Sequence, residues 1–227
     1  MDRVITSKLR SAGTELIKQA GRKILSGHFN LTKVSFPIKC MTYATIIEMI
    51  PTMCSTFPIM FNRAALTKDP VERMKCVITG TIAYFYFEKI FEKPLNPILG
   101  ETFEAYGQDG SKIYMEQTCH HPPISHMYVD GPDQNYIMTG WSSYTINAGM
   151  NSATLTADGH KLIKFEDGCT IRCTNTNDLI YNIFMGTMGH QLAGSMEFHD
   201  EKNDVHATYT FGNIRRMAQD FFSGEIT

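Results

Sequence analysis

The sequence has 227 residues, of which 43% are hydrophobic, and a formal net charge of −2. This length allows one large domain or two small ones with a sizeable core. The near-neutral charge argues against a nucleic-acid-binding domain, which is typically strongly basic, and no apolar run is long enough to cross a membrane. The N-terminus lacks the apolar core of a secretion signal, so we expect a cytoplasmic protein whose six cysteines are free thiols.

Residues 1–27 form a basic segment with helical periodicity. Six basic side chains stand against two acidic ones, which gives a net charge of +4 and leaves −6 for the rest of the chain. A basic amphipathic helix can lie on an anionic membrane or fold over an apolar opening, and an ordinary docked surface helix is the simpler alternative. The apolar positions recur at steps of three and four residues: Ile5, Leu9, Ala12, Leu16, Ala20 and Ile24.

Residues 38–91 are predicted to be helical. Apolar residues follow a helical pattern from Thr42 to Arg63, and two prolines inside it, Pro51 and Pro58, predict a kinked or broken helix. A second helix is predicted from the capping sequence DPVE at 69–72 to about Lys89. The aromatic run at 84–87 is interpreted as core packing.

From residue 100 onward the chain reads as short strands separated by turns rich in Gly, Asp, Asn and Pro. Spacing of about ten residues indicates an antiparallel meander, and a sheet of this many strands should curl and can enclose a cavity. The expected fold is therefore mainly β with N-terminal helices. The candidate strands are 102–106, 112–117, 124–129, 136–141, 153–156, 161–165, 170–173, 179–184, 192–198, 205–211 and 221–226.

The segment EQTCHHPPI at 116–124 places two imidazoles on a rigid corner of the chain. Each proline fixes φ near −65° and removes a backbone donor, and Pro122 also forces His121 into an extended conformation, so a helix is excluded. Neutral imidazole donates and accepts hydrogen bonds, and it becomes cationic near an anion. These properties suit a phosphate, a metal or a proton-transfer step, and the segment alone does not choose among them.

A second proline-stiffened segment, EKPLNPILGET, lies upstream at 92–102. Lys93 offers a point charge of the kind that binds phosphate, and Asn96 offers directional hydrogen bonds. Gly100 permits a turn after the two prolines.

The order KPLNPILGETFE followed by EQ-x-x-HHPP resembles the ligand domain of the oxysterol-binding-protein-related family. The resemblance extends over residues 28–227 and departs at Thr118-Cys119, where the family usually has Val-Ser. It implies a curled, barrel-like antiparallel sheet around a hydrophobic tunnel. Residues 1–27 would form a lid with Ile5, Leu9, Leu16 and Ile24 as its apolar face. The resemblance further implies a phosphoinositide headgroup site made of Lys93, Asn96, His120 and His121. The loops of this site would be supported by Pro94, Leu95, Pro97, Glu116, Pro122 and Pro123.

The function implied by the resemblance is lipid binding and non-vesicular transfer between membranes. Phosphatidylinositol 4-phosphate would be exchanged for a sterol or phosphatidylserine, with no enzyme activity and no cofactor. The protein would contact anionic membranes peripherally, including at membrane contact sites. The family's domain continues beyond the position of Thr227, so we expect a C-terminally truncated domain, either as a fragment or as a short form. A short form favours the alternative of a non-transferring lipid sensor or scaffold.

A metal-dependent hydrolase is the remaining alternative, because potential ligands are dense at Cys119, His120, His121 and His126. Adjacent residues rarely bind one ion, and the two prolines prevent a helical pair of ligands, so we expect no metal there. No nucleophile elbow of the Gly-x-Ser-x-Gly type occurs in the sequence.

Overall fold

The computed structural model describes residues 3–20, 29–30, 38, 41–54, 57–85, 93–212 and 222–227. None of the helices in these ranges combines the length and apolar character that crossing a bilayer requires. The helices are α1 (Arg3–Ala20), α2 (Ile46–Met53), α3 (Phe57–Leu66) and α4 (Pro70–Tyr84). A short 3-10 turn, Pro132–Gln134, lies between two of the strands.

The strands form one large antiparallel sheet and one small parallel pair. The strands of the described residues are β1 (Phe29–Asn30), β2 (Met41–Thr45), β3 (Lys93–Leu95), β4 (Thr102–Tyr106), β5 (Lys112–His120), β6 (Pro123–Asp130), β7 (Tyr136–Ala148), β8 (Ser152–Phe165), β9 (Thr170–Thr174), β10 (Asn177–Tyr181), β11 (Gly189–Asp200), β12 (Val205–Phe211) and β13 (Phe222–Ile226). Eleven of them make up the large sheet, in the order β13-β12-β11-β10-β8-β7-β6-β5-β4, with β1 paired to β7. β9 and β10 both lie between β8 and β11. The predicted antiparallel meander is confirmed.

One predicted turn is wrong. Asp158-Gly159 lies between the candidate strands 153–156 and 161–165, which predicts a turn there. In the structure, β8 runs through both residues without a break. Both residues stay in register with β7, where Ser142 lies opposite Gly159. Gly159 has a φ of +122°, and a Cβ at this position would lie 2.0 Å from the carbonyl oxygen of Trp141. The glycine therefore permits close approach of two strands instead of a chain reversal.

The helical region departs from the prediction at its start. The residues before α2 form strand β2, which pairs in parallel with β3, so the expected helix begins only at Ile46. The backbone N–H of Thr45 donates to the Glu48 carboxylate at 2.6 Å, and this contact begins the helix. Pro51 lies inside α2, and Pro58 lies in the first turn of α3, so the predicted break is confirmed.

Helix α4 begins where the capping sequence predicts. The Asp69 side chain accepts a hydrogen bond from the backbone N–H of Glu72 at 2.9 Å. The reciprocal half of the capping box is replaced, because the Glu72 carboxylate accepts from Lys75 at 2.7 Å. The helix ends at Tyr84, before the predicted end near Lys89. Tyr84 and Phe85 pack against the core, whereas residues 86–87 of the aromatic run lie outside the described ranges.

The core lies between helices α2–α4 and one face of the sheet. Alternation along β5 buries Ile113, Met115 and Gln117 and exposes the residues between them. Phe61 of α3 meets Tyr136 of β7 edge to face, with ring centroids 5.6 Å apart. The helices thus pack against the inner face of the sheet and share one hydrophobic core with it.

The two ends of the sheet carry different turns. The register places the turns at 121–122, 149–151 and 182–188 at one end, which we call the motif end. The turns at 107–111, 131–135, 166–169 and 201–204 lie at the opposite end. Both proline-rich segments of the sequence therefore lie at the motif end, because β4 begins there and β5 ends there.

Candidate functional site

The two proline-rich segments lie side by side. The backbone N–H of Gly100 donates to the carbonyl oxygen of Gln117 at 2.8 Å, and the N–H of Gln117 donates to the carbonyl oxygen of Glu101 at 3.0 Å. These bonds extend the pairing of β4 with β5, so the loop at 96–100 ends beside Gln117 of β5. The Glu101 carboxylate accepts from the N–H of Ile98 at 2.9 Å and closes this loop.

The two imidazoles lie at a tight hairpin turn. β5 ends at His120, β6 begins with Pro123 directly opposite, and His121 and Pro122 form the turn between them. The His121–Pro122 peptide bond is cis. Both histidines are exposed, and their ring centroids are 4.6 Å apart at an angle of 65°. The predicted absence of a helix at this corner is confirmed.

Buried polar side chains hold the base of this hairpin. The Gln117 amide donates to the carbonyl oxygen of Cys119 at 2.7 Å and accepts from the Ser125 hydroxyl at 2.6 Å. On the outer face, the Thr118 hydroxyl lies 2.7 Å from Nδ1 of His126. The sequence reasoning singled out neither Gln117 nor Ser125 for this role. The signal was present, because Gln117 shares the buried face of β5 and a buried amide requires partners.

The predicted supporting residues divide between interior and surface. Glu116 is exposed on the outer face of β5, opposite Thr102 on one side and His126 on the other. Pro97 is buried, and Pro94 and Leu95 are partly buried in β3. Pro123 is partly buried, whereas Pro122 is exposed at the tip of the turn.

Lys93 and Asn96 sit at the start of the first segment. Lys93 opens β3 and pairs with Met41 of β2, and its half-buried position lowers the pKa of its ammonium group through desolvation. Asn96 is exposed just after β3. A partly desolvated ammonium interacts with an anion more strongly than one in bulk water, which suits a phosphate ligand.

A cavity of about 60 Å³ lies between the helices and the inner face of the sheet. Phe57 and Phe61 of α3 line one side of it, and Met115 and Met138 line the other. Ser125 also lines the cavity, so the base of the hairpin that carries the histidines is part of the cavity wall. The cavity is mainly apolar, and at one edge the Lys161 ammonium donates to the Asn175 amide oxygen at 2.6 Å.

Helix α1 contacts the motif end. The Arg10 guanidinium donates to the carbonyl oxygen of Gly186, in the 182–188 turn, at 2.6 Å. The backbone of Ile5, Leu9 and Leu16 belongs to this helix, while their side chains and the whole of Ile24 lie outside the described part of the chain.

Side chains that could bind a metal ion come together at one place within the described ranges. This group of three consists of His199, Asp204 and His206 at the opposite end, and its members lie within range of a common ion. It contains neither Cys119 nor the His120-His121 pair. The described cysteines, Cys54, Cys76, Cys119, Cys169 and Cys173, are free thiols.

The sequence is similar to proteins of one family. The oxysterol-binding protein family model matches residues 23–227. Oxysterol-binding protein 9 of Dictyostelium discoideum is 33% identical over 228 residues, covering 100% of this chain and 53% of that protein. Oxysterol-binding protein-related protein 5 of Mus musculus is 31% identical over 186 residues, covering 73% of this chain and 21% of that protein.

The fold is similar to solved domains of the same family. The ORD domain of Osh1 in complex with ergosterol matches with a TM-score of 0.78 and 20% identity, over 91% of this chain and 50% of that chain. The Osh3 ORD in complex with PI(4)P, from Saccharomyces cerevisiae, matches with a TM-score of 0.76 and 18% identity, over 91% and 54%. The chain thus spans about half the length of these solved domains. The fold and the sequence agree, and the chain belongs to the oxysterol-binding protein family.

Proposed function

We propose that this chain binds a lipid whose phosphorylated inositol headgroup lies at the motif end and whose apolar part enters the space between helices and sheet. The lipid is phosphatidylinositol 4-phosphate, exchanged between membranes for a sterol or phosphatidylserine. The observation that carries the proposal is the backbone pairing of Gly100 with Gln117, which brings the two phosphate-suited segments to one end of the sheet. Solved domains of similar fold were crystallised with ergosterol and with PI(4)P.

The chemistry of the four headgroup residues supports this assignment. Lys93 supplies a cation, His120 and His121 supply imidazole groups that can donate hydrogen bonds, and Asn96 supplies an amide. A hydrogen bond to a charged group contributes about 1.5–3 kcal/mol, so several such bonds orient a monophosphorylated ring. The exposure of both histidines leaves them accessible to a headgroup from outside.

The motif end also carries a surface suited to a membrane. Its loops expose large apolar side chains: Ile98, Leu99, Met150 and Met185. The basic helix α1 contacts the same end through Arg10. Apolar side chains that enter the headgroup region, together with basic residues attracted to anionic lipids, give peripheral binding. We therefore place the protein in the cytoplasm at membrane surfaces or contact sites, with this end toward the lipid.

A second candidate function follows from the size of the cavity. A volume of about 60 Å³ is well below the roughly 300–1,000 Å³ of typical ligand pockets. Phe57 and Phe61 line this cavity, which is too small to enclose a whole lipid. A protein that binds the headgroup without removing the lipid from its membrane is a lipid sensor. The small volume of the cavity supports this second candidate function.

Liposomes containing phosphatidylinositol 4-phosphate test the headgroup assignment. We expect the protein to sediment with them, and we expect His120→Ala/His121→Ala to abolish this binding while circular dichroism stays unchanged. The matched control is His199→Ala/His206→Ala, which removes two neighbouring histidines at the opposite end. Unchanged sedimentation of the first variant overturns the proposed headgroup site.

A transfer assay separates the two candidate functions. Donor liposomes carry labelled sterol or labelled phosphatidylinositol 4-phosphate, and acceptor liposomes carry none. Transfer of labelled lipid by the unaltered chain, and its loss in Lys93→Ala, supports the lipid-transfer function. Sedimentation with liposomes but no soluble protein–lipid complex and no transfer supports the sensor. Absence of both binding and transfer overturns both.

A further inference from the structure

The hairpin between β11 and β12 gathers two imidazoles and a carboxylate at the opposite end of the sheet. His199 and His206 lie directly across from each other, and their rings stack with centroids 4.0 Å apart at 15°. Asp204 is the last residue of the turn, with a φ of +54°, and its carboxylate lies 3.3 Å from Nε2 of His206. One ligand atom from each of the three residues lies within 4.8 Å of the others.

The backbone under this cluster is held on both sides. His199 of β11 pairs with His206 on one side and with Arg172 of β9 on the other. The N–H of His206 donates to the carbonyl oxygen of Thr227 at 2.8 Å, and its carbonyl oxygen accepts from the N–H of Thr227 at 2.9 Å. The two imidazoles therefore project from positions that strand pairing fixes.

Alternation directs the cluster outward. The neighbours of the two histidines along their strands, Phe198, Asp200, Val205 and Ala207, are buried. The side chains of Asp204 and His206 are 92% and 52% exposed. They can turn about their side-chain bonds without disturbing the core, and an ion reaches them directly from solvent.

These distances match the needs of a transition-metal ion. Zn²⁺ binds imidazole nitrogen and carboxylate oxygen at about 2.0–2.2 Å, so two ligand atoms of one tetrahedral ion stand roughly 3.4 Å apart. The 3.3 Å between Asp204 and His206 already has this value. The nitrogen of His199 lies within 4.8 Å of the other two ligand atoms, so binding of an ion requires its side chain to move closer to them. We propose that His199, Asp204 and His206 form a binding site for a divalent transition-metal ion such as Zn²⁺, with water as the fourth ligand.

The charges around the site are mixed. Arg172 lies opposite His199 on β9 and opposes a bound cation. Glu197 lies two residues before His199 on the same exposed face, and the Asp204 carboxylate itself becomes a ligand. Two neutral imidazoles with one carboxylate leave a bound Zn²⁺ with a single net positive charge, which water accommodates at an exposed site.

A bound ion would connect three strands of the sheet edge. It would bridge β11 to β12 through the two imidazoles, and Thr227, just after β13, is hydrogen-bonded to His206. An ion that binds the folded chain and not the unfolded one raises stability, so the site acts as a metal-dependent brace. This role is independent of lipid binding, because the site lies at the end of the sheet away from the motifs.

Calorimetric titration of tag-free, EDTA-dialysed protein with ZnCl₂ tests the site. We expect one Zn²⁺ per chain, a rise in melting temperature with added Zn²⁺, and neither effect in His199→Ala/His206→Ala. Asp204→Asn should lower the affinity for Zn²⁺ roughly tenfold or more. Substitution of residues that only hydrogen-bond to metal ligands already lowers metal affinity by about this factor. Asn tolerates a positive φ, so this variant keeps the turn even if the double variant fails to fold.

The matched control is His120→Ala/His121→Ala, which should bind Zn²⁺ as the unaltered chain does. Co²⁺ as a probe should give the visible absorption of a tetrahedral complex in both proteins. Zn²⁺ binding that survives in His199→Ala/His206→Ala and in Asp204→Asn overturns the proposal. Binding that disappears in the control assigns the ion to the motif end and overturns it equally.

Discussion

The backbone N–H of Gly100 donates a 2.8 Å hydrogen bond to the carbonyl oxygen of Gln117, and this bond joins the loop after Lys93 to the strand that ends at His120. Gly100 has a φ of +79°, a conformation that side chains with a Cβ rarely adopt. A Cβ there would meet no atom within 4 Å, so the glycine serves the backbone conformation and not the packing.

Gly100→Ala should therefore disturb the proposed headgroup site by backbone strain alone. Gly110, with a φ of +90° and equally open space, lies in the β4–β5 turn at the opposite end and provides a matched control. We expect each substitution to lower the free energy of unfolding by about 1 kcal/mol in urea denaturation. Only Gly100→Ala should weaken sedimentation with liposomes that contain phosphatidylinositol 4-phosphate. Equal losses of binding in both variants would contradict a local role for this bond.

Lipid binding should depend on the protonation of Lys93. Desolvation lowers the pKa of this lysine from its ordinary value of 10.5, and a bound phosphate favours the charged form and raises the pKa again. Between the pKa of Lys93 in the free protein and its higher pKa in the lipid-bound protein, binding is accompanied by uptake of a proton. Lipid affinity should therefore fall as the pH rises through the lowered pKa of the free protein. Lys93→Arg keeps its charge, and its affinity should stay constant over that range.

The same shift has a consequence for stability with the opposite sign. Because the folded chain holds the Lys93 proton less tightly than the unfolded chain, stability without ligand rises with pH between the lowered pKa and 10.5. The control for both measurements is Lys112→Arg, an exposed lysine at the far end of β5. A pH profile of lipid affinity that is the same in Lys93→Arg and in the unaltered chain would refute the headgroup role of Lys93.

Arg73 should be the main polar anchor of the helices at the opposite end. Its buried guanidinium donates to the carbonyl oxygens of Ala64 and Thr67 at 3.2 and 2.8 Å and to the Asp167 carboxylate at 2.7 Å. Arg73→Met removes the guanidinium donor from the Thr67 carbonyl oxygen and the charged partner from Asp167, whereas the Ala64 carbonyl oxygen keeps its bond from the N–H of Thr67. We expect this substitution to cost about 1–3 kcal/mol. Lys75→Met, which removes only a surface pair with Glu72, should lower stability much less. Urea unfolding measures both, and equal costs would contradict the anchoring role.

Asp167 should contribute to acid sensitivity. The hydrogen bond from Arg73 holds the pKa of this carboxyl below its ordinary value of 3.8. The stability that the ionised carboxylate provides is complete above 3.8 and is lost as pH falls through the lowered pKa. Because the Asp167 side chain is 47% exposed, Asp167→Asn should cost less than about 1 kcal/mol at neutral pH. In acid titration of unfolding, the difference in stability between the two proteins should shrink as the pH falls below 3.8 and through the lowered pKa.

Helix α1 should control the rate of lipid exchange more than the affinity. Arg10 fastens it to the carbonyl oxygen of Gly186 at the motif end. Removal of residues 1–27 should slow vectorial transfer between liposomes while changing equilibrium binding little, since the headgroup residues remain in place. Arg10→Met should act in the same direction but less strongly, and Lys18→Met, at the end of the same helix, is its control. Unchanged transfer after the deletion would make α1 an ordinary surface helix.

Features set by a few neighbouring residues could be predicted from the sequence. The Asp69 cap, the proline-bounded break between α2 and α3, and the corner at His121 all depend on φ restrictions and side-chain bonds within four residues. Alternation along β5 places Ile113, Met115 and Gln117 on one face in the sequence, and the structure shows that this face is the buried one. The turn predicted at Asp158-Gly159 is wrong because a glycine with positive φ occurs both in turns and where two strands approach closely. Only the pairing of β8 with β7 shows that Gly159 belongs to the second case.

What only the tertiary structure decided depends on strand register and on how the layers fill space. Two imidazoles seven residues apart share one face because β11 and β12 pair in this register, and a slip by one residue would place His206 on the other face. The buried bracing by Gln117 and Ser125 requires two strands in contact. The volume of the cavity depends on how side chains of the helices, such as Phe57 and Phe61, pack against side chains of the sheet, and no local sequence pattern specifies that volume.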